Sequence, residues 1–590
     1  MKKRRQEENF DRLSGLPDPI VHHIMSFLRT TDLTKLSILS KRFFILWSTS
    51  PVIDFDRSAF SRGTNFTSTT DDFLNHIRNS IWLRRIDTAV SKFRVNANNL
   101  RNISTDHRLD SAVSFAINNG VKSMDLNLGL AKYQFPVSFA SRSINVLRLR
   151  GFSLNPCNVI LSCPSLKTLS LSSCVIPQDI KFSSPTLEEI ELHLCDVRLI
   201  EISAPNLHSF SFNSRTNHPH PCRIDVLQCQ NIAYLSLNNV VNGQDDLIEE
   251  HISTLRKLET FIFNRCQDIH SITIENERVK RVEISNCPLL NSIKVKAPSL
   301  ESFQYIGTTS TDDDDHTIAN ISFIPSKFIK DLYIKNASIT DEWLATQLPT
   351  WRYLESLRLD ACNSLNKIEL ASHEKLRNLE LLNCKNLKEA EIDTPQLVSF
   401  VHIGNMIQFE KLVTRGICTA TLFINPWTTY NDGIFYKWRK LLSFFGYFKG
   451  LKLICNCQKE LIMPEHLREI LIPPFYDLQS LEVHVKGLER IEKDLVDSLL
   501  WLWPSPNTIR IYSGSPAKLQ MTIKFAYNNI MKEDDKKPIF CCKGKPIKCW
   551  RHKLRRLDIQ TRDKNGSAEL QKYFHTNAMR LETLSLTKLR

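Results

Sequence analysis

An apolar pattern of the form L-x-x-L-x-L recurs along most of this chain and constrains its fold more than any other feature of the sequence. Ile, Val, Phe and Tyr replace Leu in many copies, and successive copies mostly lie ~20–29 residues apart. Because one such unit cannot bury its own apolar face, the copies must stack on one another. The clearest copies are Leu166/Leu169/Leu171, Leu187/Ile190/Leu192, Leu207/Phe210/Phe212, Ile232/Leu235/Leu237, Leu258/Phe261/Phe263, Val279/Val282/Ile284, Leu300/Phe303/Tyr305, Leu354/Leu357/Leu359 and Leu376/Leu379/Leu381. Weaker copies are Val121/Met124/Leu126, Ile144/Leu147/Leu149, Thr421/Leu422/Ile424, Leu451/Leu453, Leu478/Leu481/Val483, Ile509/Ile511, Leu554/Leu557/Ile559 and Leu581/Leu584/Leu586.

Cysteine has a fixed place in six of these copies, three residues after the last apolar position. The six are Cys174, Cys195, Cys266, Cys287, Cys362 and Cys384. In four copies an apolar residue follows three positions later, at Ile269, Leu290, Leu365 and Leu387. A small buried residue here closes the turn after a strand, so these cysteines are predicted to be structural thiols. Period and cysteine placement together predict a leucine-rich-repeat solenoid of about nineteen strands, a curved parallel β-sheet with a helical or irregular convex side.

The N-terminal segment 11–56 carries more apolar surface than a module of its size can bury. Its apolar residues fall at helical spacing in two sets, with Pro17 near the start of the first and Thr31 or Asp32 able to cap the second. Two or three short helices in so few residues leave apolar side chains at the surface. We therefore expect this module to pack against a partner.

This segment contains a recognisable set of residues, namely Leu16-Pro17-Asp18, Ile20, Ile24, Ser26-Phe27-Leu28, Leu39-Ser40-Lys41-Arg42 and Leu46-Trp47. On these residues it resembles an F-box, in the form found in plant F-box/LRR proteins. One departure is Phe43-Phe44, where the plant pattern usually has Trp after Lys-Arg. The resemblance implies docking on a Skp-type adaptor of the plant ASK class, and through it on a cullin and a RING subunit. The implied adaptor-binding residues are Leu16, Pro17, Ile20, Ile24, Leu28, Leu39 and Trp47, of which Leu39 and Trp47 would lie at the junction with the next domain.

The resemblance continues beyond this module, because phrases starting at Pro464, Asp497 and Ile547 look like the FBD-like C-terminal region of the same family. The predicted class is α/β, with a small N-terminal helical F-box followed by the leucine-rich-repeat solenoid. After the last strand core no capping segment follows, so we expect a short or naturally truncated product. The expected segments are a basic tail at 1–10, the F-box at 11–56, a connecting segment at 57–115, leucine-rich repeats at 116–404, and degenerate repeats at 405–590 with an insertion near 528–550.

Target binding is expected on the concave face of the repeat sheet, where polar residues flank the buried strand positions. Long interruptions, at 307–316 with its four consecutive Asp and at 536–553, are further candidate specificity elements. The four Asp predict a solvated loop, with binding of a basic partner or a cation as the alternative. A small molecule on the concave face also stays open, since some plant relatives are hormone receptors. The predicted target-binding residues are Ser170, Glu191, His193, Tyr234, Arg281, Glu283, Arg358, Asp360 and Glu380.

Several functional classes are disfavoured by the sequence. It contains no glycine-rich phosphate-binding motif, no G-x-S-x-G and no H-E-x-x-H, so neither catalytic residues nor a cofactor are predicted, although a catalytic cysteine stays open. Cys541, Cys542, Cys549 and His552 do not match C-x-x-C spacing, and no metal site is predicted. The net charge of +14 is concentrated at 536–564 rather than in a stripe with aromatics, which disfavours nucleic acid.

The chain contains no apolar run of the ~18 residues that a membrane-spanning helix needs, and no apolar stretch follows its basic start. We expect no membrane association and a location in the nucleus or cytoplasm. The predicted function is that of a non-catalytic substrate-recognition subunit of an SCF-type (Skp-cullin-F-box) E3 ubiquitin ligase. The alternative is an F-box/LRR interaction scaffold that has lost adaptor binding.

Overall fold

A computed structural model describes most of the chain, which forms two compact units, residues 1–290 and 291–590. The described residues are 13–28, 30–58, 70–85, 90–98, 104–136, 139–215, 221–241, 245–308, 319–324, 326–371, 373–414, 418–425, 430–486, 491–513, 519–527, 549–562 and 564–588. The predicted basic tail at 1–10, the four Asp at 312–315 and most of the insertion near 528–550 lie outside them.

The first unit begins with three short helices and continues as alternating strands and helices. Its helices are α1 (Asp18–Met25), α2 (Thr30–Leu39), α3 (Lys41–Ser48), α4 (Thr70–Trp82), α5 (His107–Asn118), α6 (Pro156–Ser162) and α7 (Asp245–Thr254). Its strands are β1 (Val52–Asp56), β2 (Lys92–Asn96), β3 (Ser123–Asn127), β4 (Tyr133–Gln134), β5 (Val146–Arg150), β6 (Phe152–Ser153), β7 (Thr168–Ser172), β8 (Asp179–Ser183), β9 (Glu189–Cys195), β10 (Leu199–Ser203), β11 (Ser209–Ser214), β12 (Arg223–Asp225), β13 (Tyr234–Asn238), β14 (Thr260–Asn264), β15 (Ser271–Glu275) and β16 (Arg281–Ser285).

The main sheet of this unit is parallel throughout, in the order β1-β2-β3-β5-β7-β9-β11-β13-β14-β16. Alternate residues of each strand are buried, as in β7, where Leu169 and Leu171 are inside while Ser170 is partly exposed. Neighbouring strands keep this alternation in step, because Leu169 pairs with Ile190 and Ser170 with Glu191. One face of the sheet therefore forms the core, and the other, the outer face, carries the polar residues.

The second unit continues with the same strand-based repeats and ends in a more helical segment. Its helices are α8 (Asp341–Gln347), α9 (Asp432–Ser443), α10 (Glu465–Ile470), α11 (Lys493–Leu502), α12 (Trp550–Lys553) and α13 (Lys564–Asn577). Its strands are β17 (Ser292–Lys296), β18 (Ser302–Ile306), β19 (Asn320–Phe323), β20 (Asp331–Lys335), β21 (Ser356–Asp360), β22 (Lys367–Ala371), β23 (Asn378–Leu382), β24 (Glu389–Asp393), β25 (Ser399–Gly404), β26 (Gln408–Val413), β27 (Thr419–Ile424), β28 (Gly450–Cys455), β29 (Ser480–Val485), β30 (Thr508–Ser513), β31 (Leu519–Tyr527), β32 (Leu554–Thr561) and β33 (Thr583–Lys588).

The main sheet of the second unit runs β18-β20-β21-β23-β25-β27-β28-β29-β30 with parallel pairing. Strand β31 then lies antiparallel between β30 and β32, and β32 pairs with β33 in parallel. The α/β class and the repeat sheet predicted from the sequence are confirmed. The reversal at β31 was not predicted, since these residues carry no complete copy of the repeat pattern.

The side opposite the main sheet is more ordered than predicted. Besides helices it carries short parallel sheets, β4-β6 and β8-β10-β12 in the first unit, and β17-β19 and β22-β24-β26 in the second. These strands follow a two-residue alternation, as in β8, where Ile180 and Phe182 are buried between exposed neighbours. The expectation of a helical or irregular convex side was therefore incomplete, because the alternation of apolar and polar residues in these short strands was not recognised.

The repeat sheet also starts earlier than expected. Strand β1 lies inside the predicted F-box segment, and β2, α4 and α5 lie inside the predicted connecting segment 57–115. β1 pairs with β2 in unbroken register, and β2 with β3, so both belong to the main sheet. At β1 only Ile53 and Phe55 are buried apolar residues, too few to show the full pattern. At β2 the full copy Val90/Phe93/Val95 is present and buried, and it was not recognised.

In six repeats the turn after the main strand contains a residue in the left-handed region immediately before the cysteine. Ser173, Arg265, Ala361 and Asn383 have φ of 50°, 54°, 53° and 53°. The next residue is then buried, and Cys362 donates from Sγ to the carbonyl of Ile334 at 3.7 Å. All six cysteines of the pattern are buried free thiols, as predicted.

Asp497 joins three parts of the C-terminal segment that are distant in sequence. Its carboxylate accepts from Arg468 Nη1 at 2.5 Å, from Arg551 Nη2 at 3.1 Å and from the Tyr573 hydroxyl. The two arginines and Asp497 belong to the three phrases that resemble the FBD-like region. One partly buried carboxylate thus ties α10, α12 and α13 to α11.

Replacing Ala361 by Gly should stabilise the second unit. A left-handed backbone costs an L-residue about 1–2 kcal/mol, and the greater freedom of Gly in the unfolded chain cancels part of that gain. We expect a net increase of about 0.5–1 kcal/mol, measured by urea unfolding. Ala345→Gly, within α8, should do the reverse by a similar amount. Equal effects of the two substitutions would contradict this account of the turn.

Replacing Asp497 by Asn should loosen the C-terminal helices. Losing charge-assisted hydrogen bonds from two arginines should cost about 1–3 kcal/mol. Faster amide hydrogen exchange in α12 and α13 would report that loss. Asp494→Asn is the matched control on the same helix, since Asp494 is exposed. Unchanged exchange in the Asp497 variant would show that the hub is dispensable.

Candidate partner-binding surfaces

The first three helices enclose a small apolar core of their own. Ser40 caps α3, its Oγ accepting the N–H of Phe43 at 3.2 Å. Phe43 is buried and Phe44 packs beside it, 5.9 Å from the Trp47 ring, so the departure from the plant pattern keeps aromatic packing here. The core consists of Val21, Met25, Leu33, Phe43, Leu46 and Trp47, with Leu13, Leu16, Leu28, Leu36 and Phe44 packed against it.

Arg42 fixes the chain that leads into α1. Its guanidinium donates to the backbone carbonyls of Ser14 and Leu16, and forms an ion pair with Asp18 at 2.6 Å. The Leu16-Pro17-Asp18 opening is thereby held against the start of α3. Arg42 was part of the matching motif, but the sequence did not indicate this role.

All three helices expose large apolar side chains on their outer surface, despite the core between them. We call this set the apolar surface of the module. Its members are between 48% and 79% exposed. They are Ile20, Phe27, Ile38, Leu39 and Ile45. Such a concentration on a module of this size favours docking on a partner.

The seven predicted adaptor-binding residues fall into three groups. Pro17, Ile20 and Leu39 are exposed. Leu16, Ile24 and Leu28 are half-buried, and Trp47 is buried at 4% exposure. Trp47 therefore supports the module from inside and offers no ring surface to a partner in this structure. Sequence reasoning did not select Phe27, Ile38 or Ile45 as contacts, because helical spacing shows which residues are apolar but not which of them are left uncovered.

Trp47 instead lies where the module meets the repeats. The Arg84 guanidinium sits 4.4 Å from the centre of the Trp47 ring and donates to its carbonyl oxygen at 2.5 Å. The N–H of Arg85 donates to Ser48 at 3.0 Å. Burial lowers the pKa of Arg84 to about 10. The module is thus fixed to the residues that follow α4. It also leads directly into the repeat sheet, because only three residues separate the end of α3 from the start of β1.

In the first unit the predicted target-binding residues lie on the outer face of the main sheet. Ser170 donates to Glu191 at 2.8 Å, and Ser172 lies 3.4 Å from His193 Nδ1. Arg281 and Glu283 form an ion pair with each other, and Tyr234 is exposed. Nearer β1, Arg94 is paired with Asp54 and Asp125, at 3.4 and 3.6 Å. Charges on this face are largely paired with one another.

In the second unit the three predicted residues are also paired. Arg358 forms an ion pair with Glu380 at 3.2 Å and stacks on Tyr333 at 4.5 Å. Asp360 is 5% exposed and pairs with Lys335 at 3.0 Å. Asp360 is therefore a structural residue of the sheet, which leaves Arg358 and Glu380 as the accessible positions.

A row of larger side chains on the same outer face was missed. Phe423, Ile454, His484 and Tyr512 stand in register on four successive strands, β27 to β30. His484 and Tyr512 stack at 4.6 Å, and Lys486 lies 4.2 Å from the Phe423 ring. Burial, and secondarily Lys452, lowers the pKa of His484, so its ring is neutral at pH 7. Large side chains, such as Phe423 and Ile454, stand between the buried positions of these strands, where the pattern usually has a small polar residue. That departure was the signal in the sequence.

Family models match both parts of the chain. The model described as "At1g61320/AtMIF1, LRR domain" matches residues 83–197 and 316–496, half of the 590 residues, and that of the F-box domain matches 13–54. This chain belongs to the plant F-box/LRR-repeat family. Proteins of this family are generally non-catalytic adaptors, and F-box domains generally bind Skp-type adaptors.

Relatives in Arabidopsis thaliana fall in the same family. The F-box/LRR-repeat protein At4g14096 is 26% identical over 266 residues, which cover 42% of this chain and 55% of that protein. At4g14103, also an F-box/LRR-repeat protein, is 26% identical over 283 residues, 44% of this chain and 71% of the relative. The FBD-associated F-box protein At5g18780 is 46% identical over 74 residues, 12% and 17% of the two chains. This chain thus spans about half the length of the first of these.

No group of three or more His, Cys, Asp and Glu is placed to hold a metal among the described residues, and Cys541 and Cys542 lie outside them. The six thiols of the cysteine pattern are buried, and burial raises the pKa of Cys195 to about 12. Along the described ranges, no helix is long and apolar enough to cross a membrane.

Proposed function

We propose that this chain is the substrate-recognition subunit of an SCF-type E3 ubiquitin ligase. Its apolar surface would dock on a Skp-type adaptor of the ASK class, which connects to cullin and RING subunits. The outer face of the repeat sheets would bind the protein to be ubiquitylated. The observation that carries the proposal is the apolar surface of the F-box, five large exposed side chains on three helices that already have a complete core.

The junction supports a role in positioning. Only residues 49–51 separate α3 from β1, and Arg84 and Arg85 hold the same corner from the other side. A target on the sheet of the first unit would therefore keep a defined position relative to a docked adaptor. Transfer of ubiquitin by a conjugating enzyme benefits from such fixed proximity, with no catalytic group on this chain. The expected location is the nucleus or the cytoplasm.

Substituting the apolar surface with charge should abolish adaptor binding. In Ile20→Asp/Leu39→Asp both side chains are exposed, so the fold should persist while a carboxylate is forced into the apolar interface. We expect affinity for a purified Skp-type adaptor to fall about a hundredfold or more, measured by calorimetry. Leu130→Asp/Leu161→Asp, two exposed leucines outside the module, should bind like the wild type.

Recovery of partners from plant extract separates the proposal from its alternative. A scaffold that has lost adaptor binding predicts that the wild-type chain recovers neither adaptor nor cullin from plant extract. That outcome would refute the ligase role. Equal loss in both double variants would show instead that added charge, rather than the apolar surface, disturbs binding.

The docking-deficient variant should also trap targets. A protein bound to the repeat sheets but not presented to the ligase escapes ubiquitylation, so it should accumulate on Ile20→Asp/Leu39→Asp. Proximity labelling in cells should reveal proteins enriched on this variant over wild type, and proteasome inhibition should remove the difference. A chain that lacks residues 1–56 is less suitable as the docking-deficient form, because this deletion also removes β1 from the sheet. Identical labelling of both forms would contradict target delivery.

A further inference from the structure

We propose that a groove between β26 and α9 binds an acidic peptide segment that carries one large apolar side chain. The groove, of about 460 Å³, lies in the second unit, where β26, the end of the main-sheet strand β27 and α9 meet. It forms where the short sheet β22-β24-β26 ends and α9 lies beside its last strand. This proposal deepens the target-binding half of the proposed function and rests on it, but does not depend on adaptor docking.

The floor of the groove is apolar. Ile407, Phe409 and Leu441 are buried beneath it, and Phe444 stands against Phe409 with ring centres 5.5 Å apart. Along α9, Ile434 and Leu441 lie on one helical face, seven residues apart. A side chain of Phe or Leu size would contact both the end of the sheet and the helix. Such a floor favours insertion of an apolar group.

The rim of the groove is positively charged. Lys388, Lys437 and Lys440 line it, all three side chains are exposed, and no carboxylate is among the lining residues. Two of the three, Lys437 and Lys440, are neighbours on α9. Within the described residues none of the three lysines forms an ion pair. The groove therefore offers three cations to a partner.

Three carboxylates near the groove are paired with residues outside its lining: Asp432 with His466 at 3.0 Å, Glu410 with Lys367 at 3.4 Å, and Asp393 with Lys411 at 2.7 Å. Glu389, in register with Gln408, is an exposed carboxylate beside Lys388, which leaves Lys437 and Lys440 on α9 as the main cations of the rim. An acidic partner would complement these two lysines.

The shape of the groove favours a peptide over a small molecule. Its lining comes from β26 and the loop before it, from the end of β27 and from α9, and the three lysines on its rim are exposed to solvent. A small ligand is normally enclosed over most of its surface. A peptide needs only one inserted side chain, while its carboxylates meet the lysines at the rim and the rest stays in solvent.

Binding of the peptide EDEFDE to the purified full chain tests the proposal, with EDEGDE and KRKFKR as comparators. By fluorescence anisotropy EDEFDE should bind, and its affinity should weaken as salt is raised. EDEGDE should bind at least about tenfold more weakly, because the floor loses its apolar group, and KRKFKR should not bind. Binding of KRKFKR as strong as that of EDEFDE would overturn the proposal.

Variants locate the binding. Lys437→Glu/Lys440→Glu should lower affinity for EDEFDE about tenfold or more, since two attractions become repulsions. Lys493→Glu/Lys572→Glu makes the same change in net charge at exposed lysines on α11 and α13 and should leave binding unchanged. Ile434→Ala should weaken EDEFDE but not EDEGDE. Equal loss in the two double lysine variants would assign the attraction to net charge and refute the groove.

Three further outcomes decide between the groove proposal, a small-molecule site and the ligase role. If EDEFDE does not bind but decanoate does, in a manner that requires Lys437 and Lys440, the groove takes small amphipathic acids and the peptide proposal is wrong. If EDEFDE fails while the wild-type chain still recovers the Skp-type adaptor, the groove proposal falls and the ligase role stands. Peptide binding without adaptor recovery leads to the opposite conclusion.

Discussion

Backbone hydrogen bonding between parallel strands in unshifted register is the constraint on which the rest of the structure depends. Successive side chains point to opposite faces, so a slip of one residue would bring Ser170 into the core in place of Leu169. The register therefore decides which residues are available to a partner. At the end of several main strands, a residue with a left-handed backbone, such as Ala361, starts the turn that leads to the next repeat.

Most strands with a complete apolar pattern, such as β7, were predicted from the sequence, and β28 and β30 were predicted from two apolar positions each. The complete copy Ile329/Leu332/Ile334 at β20 was not recognised, and neither was β25. β25 was missed because His402 takes the place of the last apolar residue of the pattern. In the structure His402 is buried, with its two ring nitrogens 3.1 Å from the carbonyl of Leu381 and 2.7 Å from that of Asn405. Burial lowers its pKa. A neutral imidazole carries one N–H, so His402 donates to only one of these two carbonyls. A polar residue can thus fill a core position when a main-chain carbonyl accepts its hydrogen, which apolar periodicity alone does not reveal.

The sequence predicted that the first helices form a docking surface, but it did not predict which residues are exposed on that surface. The excess of apolar residues in the first helices indicated a docking module, yet Trp47 proved to be internal and Phe27 external. Asp360 was expected at the surface and instead forms part of a buried pair with Lys335. The groove could not have been predicted, because its lysines at 388, 437 and 440 come together only through the packing of α9 beside the short sheet.

The buried cysteines give the repeats a set of internal reporters. Each sits at the end of a main strand, and burial keeps thiols such as Cys195 protonated and out of reach of reagents. Alkylation of any one of them thus requires its own repeat to open. Because the six lie from residue 174 to residue 384, their individual alkylation rates would form a profile of local opening along the chain, repeat by repeat, without any introduced label.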